Sequence, residues 1–111
     1  MKTIYNKLIR DRIPEIISQH GKKYSVSIIP RDKFLFALSS KLIEESTEVT
    51  EAISKNDRHE TIKELADLLE VFETLIDILE IQMSEIQDIQ LQRKKSRGGF
   101  SKRLWLEWVE E

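Results

Sequence analysis

Lys41-Leu42-Ile43-Glu44-Glu45-Ser46-Thr47-Glu48, followed after a polar break by Glu64-Leu65-Ala66-Asp67, is the stretch on which the reading of this chain turns. Wound as a helix, its first half continues an apolar stripe of Leu38, Leu42, Val49 and Ala52. Glu45 falls in the middle of that stripe and Glu48 at its edge. An ionised, unpaired carboxylate loses several kcal/mol on burial, so both positions call for a compensating partner. In the second half, Glu64 and Asp67 are one turn apart and share a face with Leu68, Val71, Leu75 and Ile78. Two helices thus each aim a pair of acids into apolar surroundings. A divalent cation is the least costly companion for four such carboxylates, and oxygen-only ligands on facing helices suit Mg²⁺ or Mn²⁺. The competing reading is a solvated acidic face. It accounts for Glu51, Glu60, Glu70, Glu73 and Asp77, but not for Glu45 among Leu42, Val49 and Ala52. Spacing alone leaves the two readings level.

Outward from this stretch, the chain reads as mainly helical. Asp11 can cap a short helix that tolerates Pro14 in its first turn and ends at Gly21. Residues 24–29 alternate and are β-branched, which predicts a strand stopped by Pro30. Asp32 then opens a long helix to about Lys55. Asn56-Asp57 turns the chain, and Asp57 with Glu60 has the form of a capping box. The next helix, over residues 60–82, is expected to be the longest. One face carries Ile62, Leu65, Leu69, Phe72, Ile76 and Leu79, and a second carries Leu68, Val71, Leu75 and Ile78. Such a helix is either central in a bundle or shared with another subunit. With few long helices in the chain, the shared case is expected, with the Leu68–Val71–Leu75–Ile78 face uncovered and a homodimer or homotetramer as the result. A break is expected between Glu80 and Met83, then more helix to about Lys95. Residues 104–109 alternate again and can pair with residues 24–29 in a small two-stranded ribbon.

Bulk properties narrow the function. The chain has 111 residues, 40% of them hydrophobic and 34% charged, which suits one globular helical domain over residues 1–111. The absence of cysteine removes disulfides, thiolate metal sites and a cysteine nucleophile. No apolar run is long enough to span a bilayer and no signal-peptide core opens the chain, so no membrane association and a cytoplasmic location are expected. Net charge is only -2. The first third is basic, residues 44–88 are acidic, and Arg93, Lys94, Lys95, Arg97, Lys102 and Arg103 follow without an acid between them. A nucleic-acid binder is usually basic throughout. Acids that hold a metal, flanked by bases that hold phosphates, fit this distribution better.

Three ordered motifs carry a family resemblance. Glu44-Glu45-x-x-Glu48 with Glu64-x-x-Asp67 is joined by Tyr5-Asn6-Lys7-Leu8-Ile9-Arg10-Asp11-Arg12-Ile13-Pro14-Glu15-Ile16-Ile17 and by Arg97-Gly98-Gly99-Phe100. Together they resemble the all-α nucleoside triphosphate pyrophosphatases, the MazG-like and phosphoribosyl-ATP pyrophosphohydrolase-like proteins. The resemblance implies an antiparallel helical bundle and Mg²⁺-dependent hydrolysis of a nucleotide between its α and β phosphates. It implies Glu45, Glu48, Glu64 and Asp67 as metal ligands, with Glu44 nearby either to position the attacking water or to support the ligands from outside. Helix face alone, not chemistry, separates the catalytic roles of Glu44 and Glu45.

The remaining polar residues are less decided. Lys41, one turn before Glu45, reads equally as a phosphate contact and as a surface lysine. Arg97, Lys102 and Arg103 flank a Gly-Gly turn whose bare amides can approach a phosphate, although most such turns are only turns. Lys7 and Arg10 receive no contact. His20 and His59 read as surface residues, and Trp105 and Trp108 as packing residues before base-stacking ones. The alternative to an enzyme is a helical oligomerisation module that binds RNA or a protein through its basic segment 93–103.

Overall fold

A computed structural model describes residues 1–110, and within them the chain forms four helices and no strand. They are α1 (Ile13–Gln19), α2 (Arg31–Ser54), α3 (Arg58–Ile78) and α4 (Met83–Arg97). The chain divides into two compact units, Met1–Leu79 and Glu80–Glu111. No described helix is long and apolar enough to cross a membrane.

In the first unit, α2 and α3 are the helices that pack extensively, as an antiparallel hairpin turned over by three residues. Asn56 takes the left-handed conformation (φ 59°), which asparagine tolerates better than most side chains. Asp57 accepts a hydrogen bond from the Glu60 amide at 3.0 Å and caps α3. On α2, the positions withdrawn from solvent include Phe34, Leu38, Leu42, Glu45, Val49 and Ala52, a 3-4 spacing that lays one stripe against the partner helix. On α3 the matching stripe includes Glu64, Leu68, Val71, Leu75 and Ile78. Buried apolar residues are few among the described residues: Leu38, Ala52 and Val71.

This corrects the expected orientation of α3. The face of Leu68, Val71, Leu75 and Ile78 is turned inward, with Val71 only 9% exposed. The face left in water is that of Ile62, Leu65, Leu69 and Leu79, with Leu69 51% exposed. Both faces are apolar, but only one also carries Glu64 and Asp67. Packing α2 on that face brings the acids of the two helices together.

Other boundaries shift by a residue or two. Pro30, not Asp32, stands at the start of α2, with Asp32 in its first turn where the helix dipole favours an acid. Arg12 rather than Asp11 precedes α1. The longest helix is α2, because α3 stops at Ile78 and a left-handed Glu80 (φ 56°) breaks the chain where a break was expected. Gln82 and Glu85 close a capping box that starts α4. The expected two-stranded ribbon is not formed. Residues 22–30 and 103–110 carry no strand, and Val26, Ile28, Trp105 and Trp108 are exposed. Alternation marks a segment that can pair, but an isolated two-stranded ribbon is marginal in water.

Candidate active site

The site is built on the inner faces of α2 and α3. Glu45, Glu48 and Glu64 each direct one carboxylate oxygen into a common space, all within 4.8 Å of one another. Glu45 is 6% exposed, and its Oε2 is buried without a hydrogen-bond partner. Glu64 Oε2 is buried and unpartnered as well. On the other side of Glu45, Lys41 Nζ lies 3.9 Å from Oε1 and 3.5 Å from Oε1 of the exposed Glu44. One weak ammonium contact does not satisfy a buried carboxylate, so the unpartnered oxygens mark an incomplete electrostatic arrangement.

Protonation shifts record the same crowding. Glu64 is held above the ordinary carboxylate range by the adjoining carboxyl of Glu48, by burial, and by the charges of Glu48 and Asp67. At Glu48 the nearness of Glu64 pulls downward, but burial and the neighbouring Glu45 and Glu44 outweigh it, so its pKa is raised too. Burial and like charge both disfavour the ionised form.

Asp67 stands apart from the three glutamates. Its Oδ1 accepts a hydrogen bond from Arg10 Nη2 at 2.8 Å, from a residue 57 positions earlier. Sequence reasoning left Arg10 without a contact. A pairing across that separation has no local period, and only the basic residue in a matching N-terminal motif pointed to it. Arg10, Asp67, Glu45 and Lys41 line a cavity of about 470 Å³ whose apolar wall includes Leu8, Phe34, Leu38 and Val71. Arg97, Lys102 and Arg103 lie in the second unit, where they surround a hollow of about 340 Å³ at the Gly98-Gly99 turn. His20 and His59 are exposed, as expected.

The donor set fits a hard divalent cation. All three clustered groups are carboxylates, with no histidine or cysteine among them to favour a softer metal. Their spread is close to the about 4.2 Å that separates opposite oxygens around an ion bound at about 2.1 Å. Fold and cluster together define an all-α chain with a carboxylate cluster on a helical hairpin.

The comparison with known families agrees with that class. The model of the MazG nucleotide pyrophosphohydrolase domain matches residues 36–97, more than half of the chain and the part that carries both acidic pairs. The chain belongs to this family. It is a nucleotide pyrophosphohydrolase, a hydrolase acting on phosphoric anhydrides, which is the first of the two readings drawn from the sequence. No curated protein and no solved structure matches it.

Proposed function

We propose that the chain is a Mg²⁺-dependent enzyme that hydrolyses a nucleoside triphosphate, or a related nucleotide such as phosphoribosyl-ATP, between the α and β phosphates. The observation that carries this reading is the pair of buried, unpartnered oxygens, Glu45 Oε2 and Glu64 Oε2, in a cluster of three carboxylates. In this reading Glu45, Glu48, Glu64 and Asp67 hold the metal. When bound, Mg²⁺ supplies neutralisation of phosphate charge and a lower pKa for an attacking water. Glu44 lies at the solvent edge of the cluster and takes the proton of that water, with Glu45 orienting it from the buried side. The water oxygen bonds to the α phosphorus, the bond from that phosphorus to the bridging oxygen breaks, and pyrophosphate leaves. Lys41 contacts the phosphates from beside Glu45. Arg97, Lys102 and Arg103 offer further cations, which suits an anionic substrate.

The enzyme acts as a homodimer or homotetramer in this reading. Ile62, Leu65 and Leu69 on α3, and Phe36, Ile43 and Ile53 on α2, are exposed apolar residues of the kind that interfaces cover. A cytoplasmic setting suits a chain without cysteine.

The test is a panel of ribo- and deoxyribonucleoside triphosphates together with phosphoribosyl-ATP, assayed with Mg²⁺ and with chelator. Metal-dependent appearance of equal amounts of monophosphate and pyrophosphate is expected from at least one of them. Release of orthophosphate and diphosphate would place the cleavage at the wrong anhydride and overturn the assignment.

A further inference from the structure

We propose that Arg10 is a phosphate-binding residue of the active site, which stands in for the cation at Asp67 while the site holds no metal. The inference rests on the carboxylate cluster being a metal site, as proposed above, and adds a residue that the acidic motifs do not contain.

Four observations meet at this side chain. Its guanidinium reaches across the cavity mouth to Asp67 Oδ1 at 2.8 Å, the one protein hydrogen bond it makes among the described residues. A guanidinium has five N–H donors, so most of its capacity is unused. Arg10 is 62% exposed and Asp67 32%, so a ligand in solution can reach the pair. Leu8 and Ile9 are half-buried against the same cavity, which fixes the segment and therefore the place of the guanidinium. Asp67 lies one turn beyond Glu64 on the same helix, yet it is the acid that does not join the cluster of Glu45, Glu48 and Glu64.

The simplest alternative is a staple that ties the N-terminal segment to α3. Exposed ion pairs contribute little to stability, which makes a pure staple a weak use of the contact. Charge gives it a stronger one. Without metal, Asp67 and the glutamates repel one another, and Arg10 supplies the compensating charge at Asp67, as Lys41 does at Glu45. A divalent cation at the cluster competes for Asp67 and repels the guanidinium. The arginine then faces the cavity with its fork free, opposite Lys41 on α2. Planar guanidinium donors match the oxygens of a polyphosphate, which is the anion a nucleotide brings into that space.

Two binding measurements on the intact chain separate the readings, with Arg10→Gln and Arg10→Lys beside the wild type and circular dichroism in chelator as a check on folding. The probes are Mn²⁺ alone and inorganic tripolyphosphate at saturating Mn²⁺, both followed by calorimetry. Arg10→Gln is expected to bind Mn²⁺ more tightly than the wild type, because a competitor for Asp67 is gone. It is expected to bind tripolyphosphate about tenfold more weakly, the loss of a charge-assisted contact. Arg10→Lys should recover part of the tripolyphosphate affinity. A staple moves neither affinity in this opposed way. Mn²⁺ affinity unchanged or lowered in Arg10→Gln overturns the proposal, as does unchanged tripolyphosphate affinity. If the wild type releases pyrophosphate while Arg10→Gln binds both probes normally, this inference alone fails. A wild type that binds no Mn²⁺ takes the metal reading down with it.

Discussion

Glu48 on α2 and Glu64 on α3 each bring a carboxylate oxygen within 4.8 Å of the other, with Glu45 at the same spacing. Two ionised carboxylates at that distance repel, and a proton on either one relieves the repulsion, which is why both pKa values are raised. Metal and proton therefore compete for the same oxygens. The hairpin holds the acids in place in either case, because α2 and α3 are packed along the whole stripe that includes them.

The first consequence is a pH dependence of inverted sign. Both glutamates have folded-state pKa values above the ordinary 4.5. The folded chain thus binds more protons than the unfolded one between 4.5 and those raised values. In chelator, these two residues favour folding at low pH, and that contribution is lost as pH rises through the raised range. Melting curves of the wild type and of Glu64→Gln should show it. The wild type is expected to lose ground against the variant as pH rises from the ordinary carboxylate value of 4.5 through the raised range. A wild type that gains on Glu64→Gln over that range would show that the pair is not crowded.

Metal should reverse the penalty. A ligand bound only by the folded state adds about 2.7 kcal/mol at a hundred times its dissociation constant. For a domain near 100 residues, each kcal/mol moves the melting temperature by about 4–8 °C. Millimolar Mg²⁺ or Mn²⁺ is thus expected to raise the melting temperature by several degrees over chelator at neutral pH, with a smaller rise as pH falls and protons compete for the same oxygens. An unchanged melting temperature at metal concentrations that support turnover would leave the cluster without its proposed cation.

Single ligand substitutions should separate activity from folding. Glu48→Gln and Asp67→Asn each keep the size of the side chain and remove one charge from a repelling group. If each ligand contributes about 3 kcal/mol to transition-state stabilisation, turnover falls by about a hundredfold or more. The metal-free melting temperature of Glu48→Gln should hold or rise, because a repulsion has been removed; Asp67→Asn also gives up its exposed pair with Arg10 and should leave the melting temperature nearly unchanged. Near-normal turnover at saturating Mg²⁺ in either variant would remove that residue from the site.

How much of this was legible in the sequence depended on distance along the chain. Glu45 announced itself, because Leu42, Val49 and Ala52 lie three, four and seven residues away and one helix makes them neighbours. The turn at Asn56-Asp57 was readable for the same reason. The partner of Asp67 was not, since Arg10 is brought to it only by the fold. Nor could periodicity choose between the two apolar faces of α3. Both have the correct spacing, and only the packing of α2 against one of them separates the two. The ribbon failed on a related point, because alternation describes a strand but does not supply its partner.

The corrected orientation of α3 sets the last prediction. Leu75 is half-buried on the face packed toward α2, whereas Leu69 is 51% exposed on the opposite face beside Leu65 and Ile62. Glutamate at Leu75 puts a charge into the hairpin core and should cost about 2–4 kcal/mol, lowering the melting temperature at every protein concentration. Glutamate at Leu69 meets water in a single chain and should leave its folding almost untouched. If this face is shared between copies, Leu69→Glu converts the oligomer to folded monomers and removes the concentration dependence of the melting temperature. Light scattering and thermal melts on the same samples read both effects. A wild type that scatters as a monomer at tens of micromolar, or a Leu69→Glu variant that stays assembled, would show that α3 does not carry the interface.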